Sequence, residues 1–421
     1  MSESKSSAPG ISILLSCAVL AGIMGWTGRG MAERSECSQP AAAQETQVRK
    51  EPLTAGGTGM GTFYSLKVNG EYPGGQEALA RDAEETIRRI EKEISTFDKT
   101  SELSKFNNYQ GTGRFEVSRD TAVMVAETMR LGKSIGGATD ITIFPLVDLW
   151  GFGPSKKPEG FVPDDESIQK AKSLLGLDRL HVIMDAGKYY LQKDFPELHV
   201  DLSTVGEGYG ADRFAELMDR KGVQNYLVQI AGASRSRGIS PSGRPWRIAI
   251  NGPRRDEETV METIVPEEMA VSTAGSYRNY FEKDGKRFSH AIDPVTGRPI
   301  EHRTVSVTVI APTALETDAL DTGLLVLGAD RALEYAEKAG LPIYCIVKDE
   351  SGQFVSRYSS AFEKYLAKWA AGQCAAACAV PMGTERNWLM SARIKVPADL
   401  SQLIRQTGRP GGAPPGCLLT G

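Results

Sequence analysis

Val271-Ser-Thr-Ala-Gly-Ser-Tyr-Arg278 is followed by Ser289-His290-Ala-Ile292-Asp293-Pro-Val-Thr-Gly-Arg298-Pro299, then by an alternating apolar run through Val305, Val307 and Val309. Thr313-Ala-Leu-Glu316-Thr-Asp318-Ala-Leu-Asp321-Thr322-Gly323 comes next. Between Val271 and Gly328 the chain therefore sets a small-residue loop, a histidine in a polar turn, a strand and a helix with paired carboxylates in close succession. Thr313 and Glu316 have capping-box spacing, which starts the helix at Ala314. Asp318 and Asp321 are then i,i+3 and Asp318 and Thr322 i,i+4, so their oxygens share one face within about one turn. Leu315, Leu320, Leu324 and Leu327 supply an apolar side. Two readings stand at this point. Acids near a helix start complement the macrodipole and can simply be solvated. Equally, Mg²⁺ takes oxygen ligands from one or two carboxylates plus substrate phosphates.

Outward from this stretch, strands and helices alternate irregularly. Downstream, Asp330–Ala339 reads as a helix and Leu341–Val347 as a strand. Upstream, Leu198–Leu202, Tyr226–Ile230 and Trp246–Ile250 read as strands. Thr204 and Glu207 again have capping-box spacing, ahead of a helix over Tyr209–Lys221 closed by Gly222. Leu79, Ala83, Ile87, Ile90 and Ile94 recur at helical spacing, and Ser118–Leu131 and Asp164–Leu175 form two further helices. A strand from Met60 to Val68 opens the folded body near Thr58. No regular βαβ repeat appears, and the fold class is α+β rather than a doubly wound sheet.

The two ends have a different character. Ile11–Trp26 is an uncharged apolar run between Lys5 and Arg29, read as an export signal or short membrane anchor, and Leu14-Leu-Ser-Cys17 resembles a lipoprotein processing box. An Ala-, Glu-, Gln- and Ser-rich linker closes residues 1–57. Residues 369–421, Ala-rich and then Pro/Gly-rich, lack apolar periodicity and are expected to be a weakly ordered tail beyond a body spanning 58–368.

Bulk composition excludes several classes. The chain has 421 residues, a net charge of −4 and 24% charged residues, which leaves no general nucleic-acid footprint. Six cysteines without a C-x-x-C pair signal neither a zinc site nor a disulfide framework. Four histidines (His181, His199, His290, His302) make a histidine-rich metal centre unsupported. A Walker-type loop, a G-x-S-x-G elbow and an H-E-x-x-H helix are all absent. What remains is a hard-cation site of Asp and Thr oxygens beside small-residue loops and one polar-turn histidine, a combination suited to a diphosphate handled through Mg²⁺.

Taken in order, Met60-Gly-Thr, Ser95-Thr-Phe97 with Ser101-Glu-Leu-Ser-Lys-Phe-Asn107, Ala138-Thr139-Asp140-Ile-Thr, Asp201-Leu-Ser-Thr-Val-Gly-Glu207-Gly-Tyr and the motifs quoted above resemble the FAD:protein FMN transferases, the ApbE-type flavin transferases. The resemblance covers about residues 55 to 366. It implies a two-lobed α+β body with mixed or antiparallel sheets flanked by helices, which binds FAD in its cleft. With Mg²⁺ such a body moves FMN from FAD onto a Thr hydroxyl of an exported protein, releasing AMP. The implied acceptors are subunits of redox pumps such as the Na⁺-translocating NADH:quinone reductase, on the periplasmic side of the bacterial inner membrane.

Position by position, the implied flavin contacts are Met60, Phe97, Ala138, Thr139, Asp140, Asp201, Glu207 and Ile292, and the implied Mg²⁺ ligands are Thr204, Asp318, Asp321 and Thr322. Two departures stand out. Many members have a Lys where this chain has Glu207, and a Gly-Gly loop where it reads Ala231-Gly232. For the proton of the acceptor hydroxyl, His290 is the candidate base, because an unperturbed His titrates near neutral pH, and Asp293 is the second choice. Two rival readings use the same residues: a Mg²⁺-dependent FAD pyrophosphatase with water as acceptor, and a non-catalytic exported flavin-binding protein. The carboxylate pair counts against the second, since binding flavin alone requires no metal.

Overall fold

A computed structural model of the chain describes residues 51–367, apart from 154, 156, 159, 254–258, 278 and 284–285 and the side chain of 286. The apolar N-terminal run with Cys17 and the tail from 368 onward lie outside the described residues. Among the described residues no helix is long and apolar enough to cross a membrane.

The scaffold is an eight-stranded sheet in the order Leu53–Gly59, Thr62–Val68, Tyr226–Ile230, Ala233–Arg237, Ala270–Gly275, Thr304–Ala311, Ile343–Lys348 and Phe354–Tyr358. Among the described residues eight α-helices accompany it: α1 (Gly75–Ile94), α2 (Glu102–Asn108), α3 (Arg119–Ser134), α4 (Phe144–Leu149), α5 (Asp165–Lys172), α6 (Ser203–Arg220), α7 (Ala314–Leu327) and α8 (Ala329–Ala339). Mixed or antiparallel sheets were the expectation. Every strand pairing among the described residues is antiparallel. The connections explain this. Short turns join Leu53–Gly59 to Thr62–Val68, Tyr226–Ile230 to Ala233–Arg237 and Ile343–Lys348 to Phe354–Tyr358. The other neighbours are joined by longer excursions, one of which runs from Val68 to Tyr226 through α1–α6. Between Thr304–Ala311 and Ile343–Lys348 the connection is α7 and α8 in succession. Two reversals return the chain to the end it left, whereas a single crossover helix gives a parallel pair.

Local sequence accounts for most elements. The spaced apolar residues of α1 (Leu79, Ala83, Ile87, Ile90, Ile94) are all buried. The side chain of Ser118 caps α3 by accepting from Thr121 N–H, and Asp164 caps α5 by accepting from Ser167 N–H. Four expectations need correcting. Met60 does not begin a strand. With Gly61 it turns a hairpin, at φ 54° and 75°, the sign a tight two-residue turn demands. The first strand, Leu53–Gly59, lies in what read as linker. Its glycines hide it, and a Cβ on Gly57 would sit 2.9 Å from the Tyr64 hydroxyl oxygen.

Leu198–Leu202 forms no ladder. Asn107 holds it instead, donating from Nδ2 to Val200 O (2.8 Å) and accepting from Val200 N–H at Oδ1 (2.8 Å). Finally, α6 starts at Ser203, so Thr204 and Glu207 lie inside the helix and make no capping box. Asp201 takes over that task, its Oδ1 accepting from Ser203 N–H at 2.9 Å.

α6 and α7 lie side by side on one sheet face. Small residues permit the approach: Ala211, Ala233, Ala270 and Ala314 are buried together where helices and strands meet. Leu315, Leu320 and Leu324 of α7 join Val307, Val309 and Cys345 of the sheet in the larger core. Each such leucine contributes about 1.5–3 kcal/mol by leaving water.

Beside this core, Ala231 sits at φ 40° in the left-handed region, with its N–H donating to Phe63 O at 3.1 Å. A left-handed non-glycine residue costs about 1–2 kcal/mol, partly offset by the freedom glycine loses on folding. Ala231→Gly is therefore expected to stabilise the protein by about 0.5–1 kcal/mol, read as a rise in the urea midpoint at constant slope. A lower midpoint would show that the alanine methyl packs favourably there.

Candidate functional site

Geometry at the start of α7 fixes everything that follows. The Thr313 side chain accepts from Glu316 N–H at 3.2 Å, so the helix begins where the spacing places it. Asp212 of α6 accepts from Ala314 N–H (3.0 Å) and Leu315 N–H (2.9 Å), a carboxylate at the positive end of a helix. Arg235 pairs with Asp212, both side chains fully buried, and donates to Pro312 O at 2.8 Å. The first turn of α7 is thus tied to α6 and to the central sheet.

One turn on, Asp318 and Asp321 are buried, at 6% and 1% exposure. Asp318 Oδ2 accepts from Gly208 N–H (2.7 Å), and its Oδ1 lies 3.4 Å from the donating Ser272 hydroxyl. Thr322 Oγ1 donates to Asp321 Oδ1 at 3.2 Å. Burial pushes both carboxyls well above the usual range. The charged groups that bear on Asp318 are also acids: Asp321 first, then Glu207. At Asp321 burial again dominates, with hydrogen bonds from Ser272 and Thr322 opposing it and Glu207 adding to it. Two buried acids that raise each other's pKa call for a cation.

The donors present, carboxylate and hydroxyl oxygens, suit Mg²⁺ rather than a softer metal. No group of three or more His, Cys, Asp or Glu among the described residues is disposed to hold a metal ion. A two-carboxylate site fits only an ion that completes its shell with water and substrate phosphate, as Mg²⁺ does. Asp318, Asp321 and Thr322 fit this requirement. Thr204, half-buried in the first turn of α6, stands one turn before Gly208, whose N–H holds Asp318.

Glu207 lies on the same helix. Its Oε2 accepts from Gly232 N–H at 2.9 Å, which ties α6 to the Ala231–Gly232 loop. Gly208 is required by contact, since a Cβ there would fall 2.1 Å from Ala314 O and 2.7 Å from Asp318 Cβ.

The remaining site candidates fall in four places. Met60 N–H donates to Glu91 Oε1 (2.8 Å), and its side chain reaches toward α6 at Gly206 and Gly210. Ala138 and Thr139 are buried under α7, where Thr139 Oγ1 donates to Ala319 O at 2.6 Å. Asp140 Oδ1 accepts from both the N–H (2.7 Å) and the hydroxyl (2.6 Å) of Thr142, while burial raises its pKa against those bonds. Phe97 is 83% exposed, on a turn braced by Ser95 Oγ accepting from Phe97 and Asp98 N–H groups.

His290, Ile292 and Asp293 form the fourth group. Ile292 is buried with Leu146 and Trp150 in the small hairpin Ile292–Asp293/Arg298–Pro299, which packs on α7. Asp293 Oδ1 accepts from Val295 N–H at 2.8 Å and so holds the hairpin turn. His290 Nδ1 lies 2.9 Å from Asn279 O. A carbonyl can only accept, so Nδ1 carries the proton and Nε2 keeps its lone pair. Burial lowers the imidazole pKa, the Asn279 bond opposing only in part. His290 is therefore a neutral imidazole with one open nitrogen, edge-on to Phe152 with ring centroids 6.3 Å apart.

The structure thus gathers Asp318, Asp321, Thr322 and Glu207 with Ser272 and the N–H of Gly208. Met60 packs against α6 and Thr139 against α7, and Phe97 is exposed on its turn. Sequence reading missed Ser272, Asp212 and Arg235. Ser272 stood in the quoted motif, but nothing in its spacing says which way a strand side chain points.

Comparison with known proteins identifies the family. The ApbE family model matches residues 60–345. The FAD:protein FMN transferase of Escherichia coli (strain K12) is 45% identical over 330 residues, covering 78% of this chain and 93% of that protein. Its counterpart from Vibrio cholerae serotype O1 is 41% identical over 320 residues, covering 76% and 94%. Among solved structures, the flavin transferase ApbE from Vibrio cholerae superposes with a TM-score of 0.68 at 40% identity, covering 75% of this chain and 99% of that one. The apo form of Pseudomonas stutzeri flavinyl transferase ApbE gives 0.68 at 35% identity, covering 76% and 98%.

Proposed function

This chain belongs to the ApbE family and is an FAD:protein FMN transferase, and we propose that it uses Mg²⁺ to place FMN on a threonine hydroxyl of an exported acceptor. The observation that carries the metal is the buried pair Asp318 and Asp321, on which the charged groups that bear are acids. These two carboxylates, with the hydroxyls of Thr322 and Thr204, would hold the ion. Bound there, Mg²⁺ would neutralise charge developing on the phosphoryl oxygens of the FAD diphosphate.

Within the chain, each group has a defined task. His290 Nε2 accepts the proton of the threonine hydroxyl as its oxygen attacks the FMN phosphorus. The new bond is threonine oxygen to phosphorus. The bond that breaks joins that phosphorus to the bridging oxygen, which leaves with AMP. Phe152 against the imidazole helps keep water from the base, which favours a protein hydroxyl over hydrolysis. Flavin contacts are assigned to Met60, Phe97, Ala138–Asp140, Asp201, Glu207 and Ile292, around a cleft that takes FAD. Incubating the protein with FAD and a threonine-bearing acceptor, with Mg²⁺ or with chelator, tests the reading. Flavin fluorescence on the acceptor band is expected only with Mg²⁺, whereas equal labelling in chelator would remove the metal.

The acceptor class supported by the family likeness is an exported redox subunit, such as one of the Na⁺-translocating NADH:quinone reductase. We accordingly place the body on the periplasmic side of the inner membrane, held by the N-terminal segment or a lipid on Cys17. The support is the apolar run Ile11–Trp26 and its linker. Residues 1–60 fused to a reporter active only after export should give an active reporter. A silent reporter, with the fusion accumulating in the cytoplasm, would refute this placement.

A further inference from the structure

Alternation along Ala270–Gly275 puts Ala270, Ser272 and Ala274 on one face of the strand, beneath α7. Ala270 is buried with Ala314 at the start of α7, and Ala274 packs on the main core. Across the ladder Ser272 faces Val309, also in that core. In this row Ser272 alone has a hydroxyl, and it is 1% exposed. The hydroxyl donates toward Asp318 Oδ1 at 3.4 Å, and beside Asp321 it opposes the rise that burial imposes on that carboxyl. Asp318 Oδ2 is already held by Gly208 N–H at 2.7 Å. Both oxygens of Asp318 are thus addressed by donors from two different elements, a helix backbone and a strand side chain.

We propose that Ser272 is a positioning residue for the FMN transfer: its buried hydroxyl, aimed at Asp318 Oδ1, orients that carboxylate beside Asp321, so that the pair stands ready for a divalent cation. This rests on the reading that Asp318 and Asp321 hold Mg²⁺. A hydroxyl has a single hydrogen, so it can donate to only one of two carboxylates at a time. A cation between the acids removes that conflict, because the carboxylate that receives no hydrogen is then satisfied by the ion. Groups that orient metal ligands in this way carry much of a site's affinity. The opposing account is that Ser272 is merely small, letting α7 approach the sheet as the alanines do. The two accounts differ on Ser272→Ala, which keeps the size and removes the donor.

Melting of the FAD-free protein, titrated with MgCl₂, separates them without relying on turnover. Wild type should be stabilised saturably, and Asp321→Ala should not respond. Ser272→Ala should melt at or above the wild-type temperature without metal. It should need about tenfold or more Mg²⁺ for half the stabilisation. In turnover its kcat should fall with little change in KM for FAD. Ser272→Thr, which keeps the hydroxyl, should restore the wild-type titration. Ser272→Cys, a weak donor of similar size, should behave like the alanine variant. A Ser272→Ala titration matching wild type would overturn the positioning role while leaving the metal site standing. Absence of any Mg²⁺ response in wild type itself would overturn both.

Discussion

Asp321→Ala is expected to reduce FMN transfer by about three orders of magnitude in saturating Mg²⁺, with the fold intact. The reasoning begins with burial. Asp318 and Asp321 lie in the core, and their pKa values are raised by burial and by neighbouring acids. Replacing one removes half of the carboxylate charge available to a cation. Charge stabilisation by a bound metal is worth several kcal/mol, and each 1.4 kcal/mol is about tenfold in rate.

The same observation fixes the sign of a pH effect. A carboxyl whose folded pKa is raised contributes stability that is full below the unfolded value, about 4, and is lost as pH rises through the folded value. Metal-free wild type should therefore lose melting temperature as pH rises above the unfolded carboxyl value of about 4. The loss should be smaller in Asp321→Ala, and Mg²⁺ should restore wild type mainly at the upper end. Wild-type turnover by Asp321→Ala, or a metal-free melting temperature that climbs across this range in step with the pair's ionisation, would remove these acids from the chemistry.

His290→Gln is expected to lower kcat by about 10²–10³, the usual worth of a positioned base. FAD binding, read from quenching of flavin fluorescence, should change little, because Nε2 acts on the acceptor proton. Burial lowers the imidazole pKa, so the neutral, proton-accepting form is already dominant at pH 7. The wild-type rate should be flat from neutral pH upward and fall only below the ordinary histidine range. His290→Gln should lose that acid limb. An unchanged kcat, or an acid limb that persists in the variant, would transfer the role to Asp293 or to solvent. Asp293 Oδ1 accepts from Val295 N–H in the hairpin turn.

How much of this could be read from sequence differs by element, for physical reasons. The start of α7 was legible because a cap and an apolar period are local signals, and Thr313 caps it as its spacing indicated. From that start, the shared face of Asp318 and Asp321 follows by helix geometry. The start of α6 was misread for the converse reason. Thr204 and Glu207 have the spacing of a capping box, yet Asp201 supplies the first bond through Ser203 N–H. Strand Leu53–Gly59 was hidden because its glycines carry no alternating apolar signal, its pairing being set by Thr62–Val68 across the turn.

Ser272, Asp212 and Arg235 could not be found from spacing at all. Their partners are 46, 102 and 23 residues away in sequence, and only the packing of α6 and α7 on the sheet brings them together. Asn107 is similar: its bonds to Val200 replace a ladder that the apolar pattern of Leu198–Leu202 seemed to promise.

Peptide mapping of an acceptor by mass spectrometry, after incubation with this protein, FAD and Mg²⁺, tests the central claim most directly. The account predicts one FMN per acceptor, on a threonine side-chain oxygen through a phosphoester bond, with one AMP released per FMN bound and no labelling of a Thr→Val acceptor. Free FMN and AMP in equal amounts, with the acceptor unmodified, would contradict it.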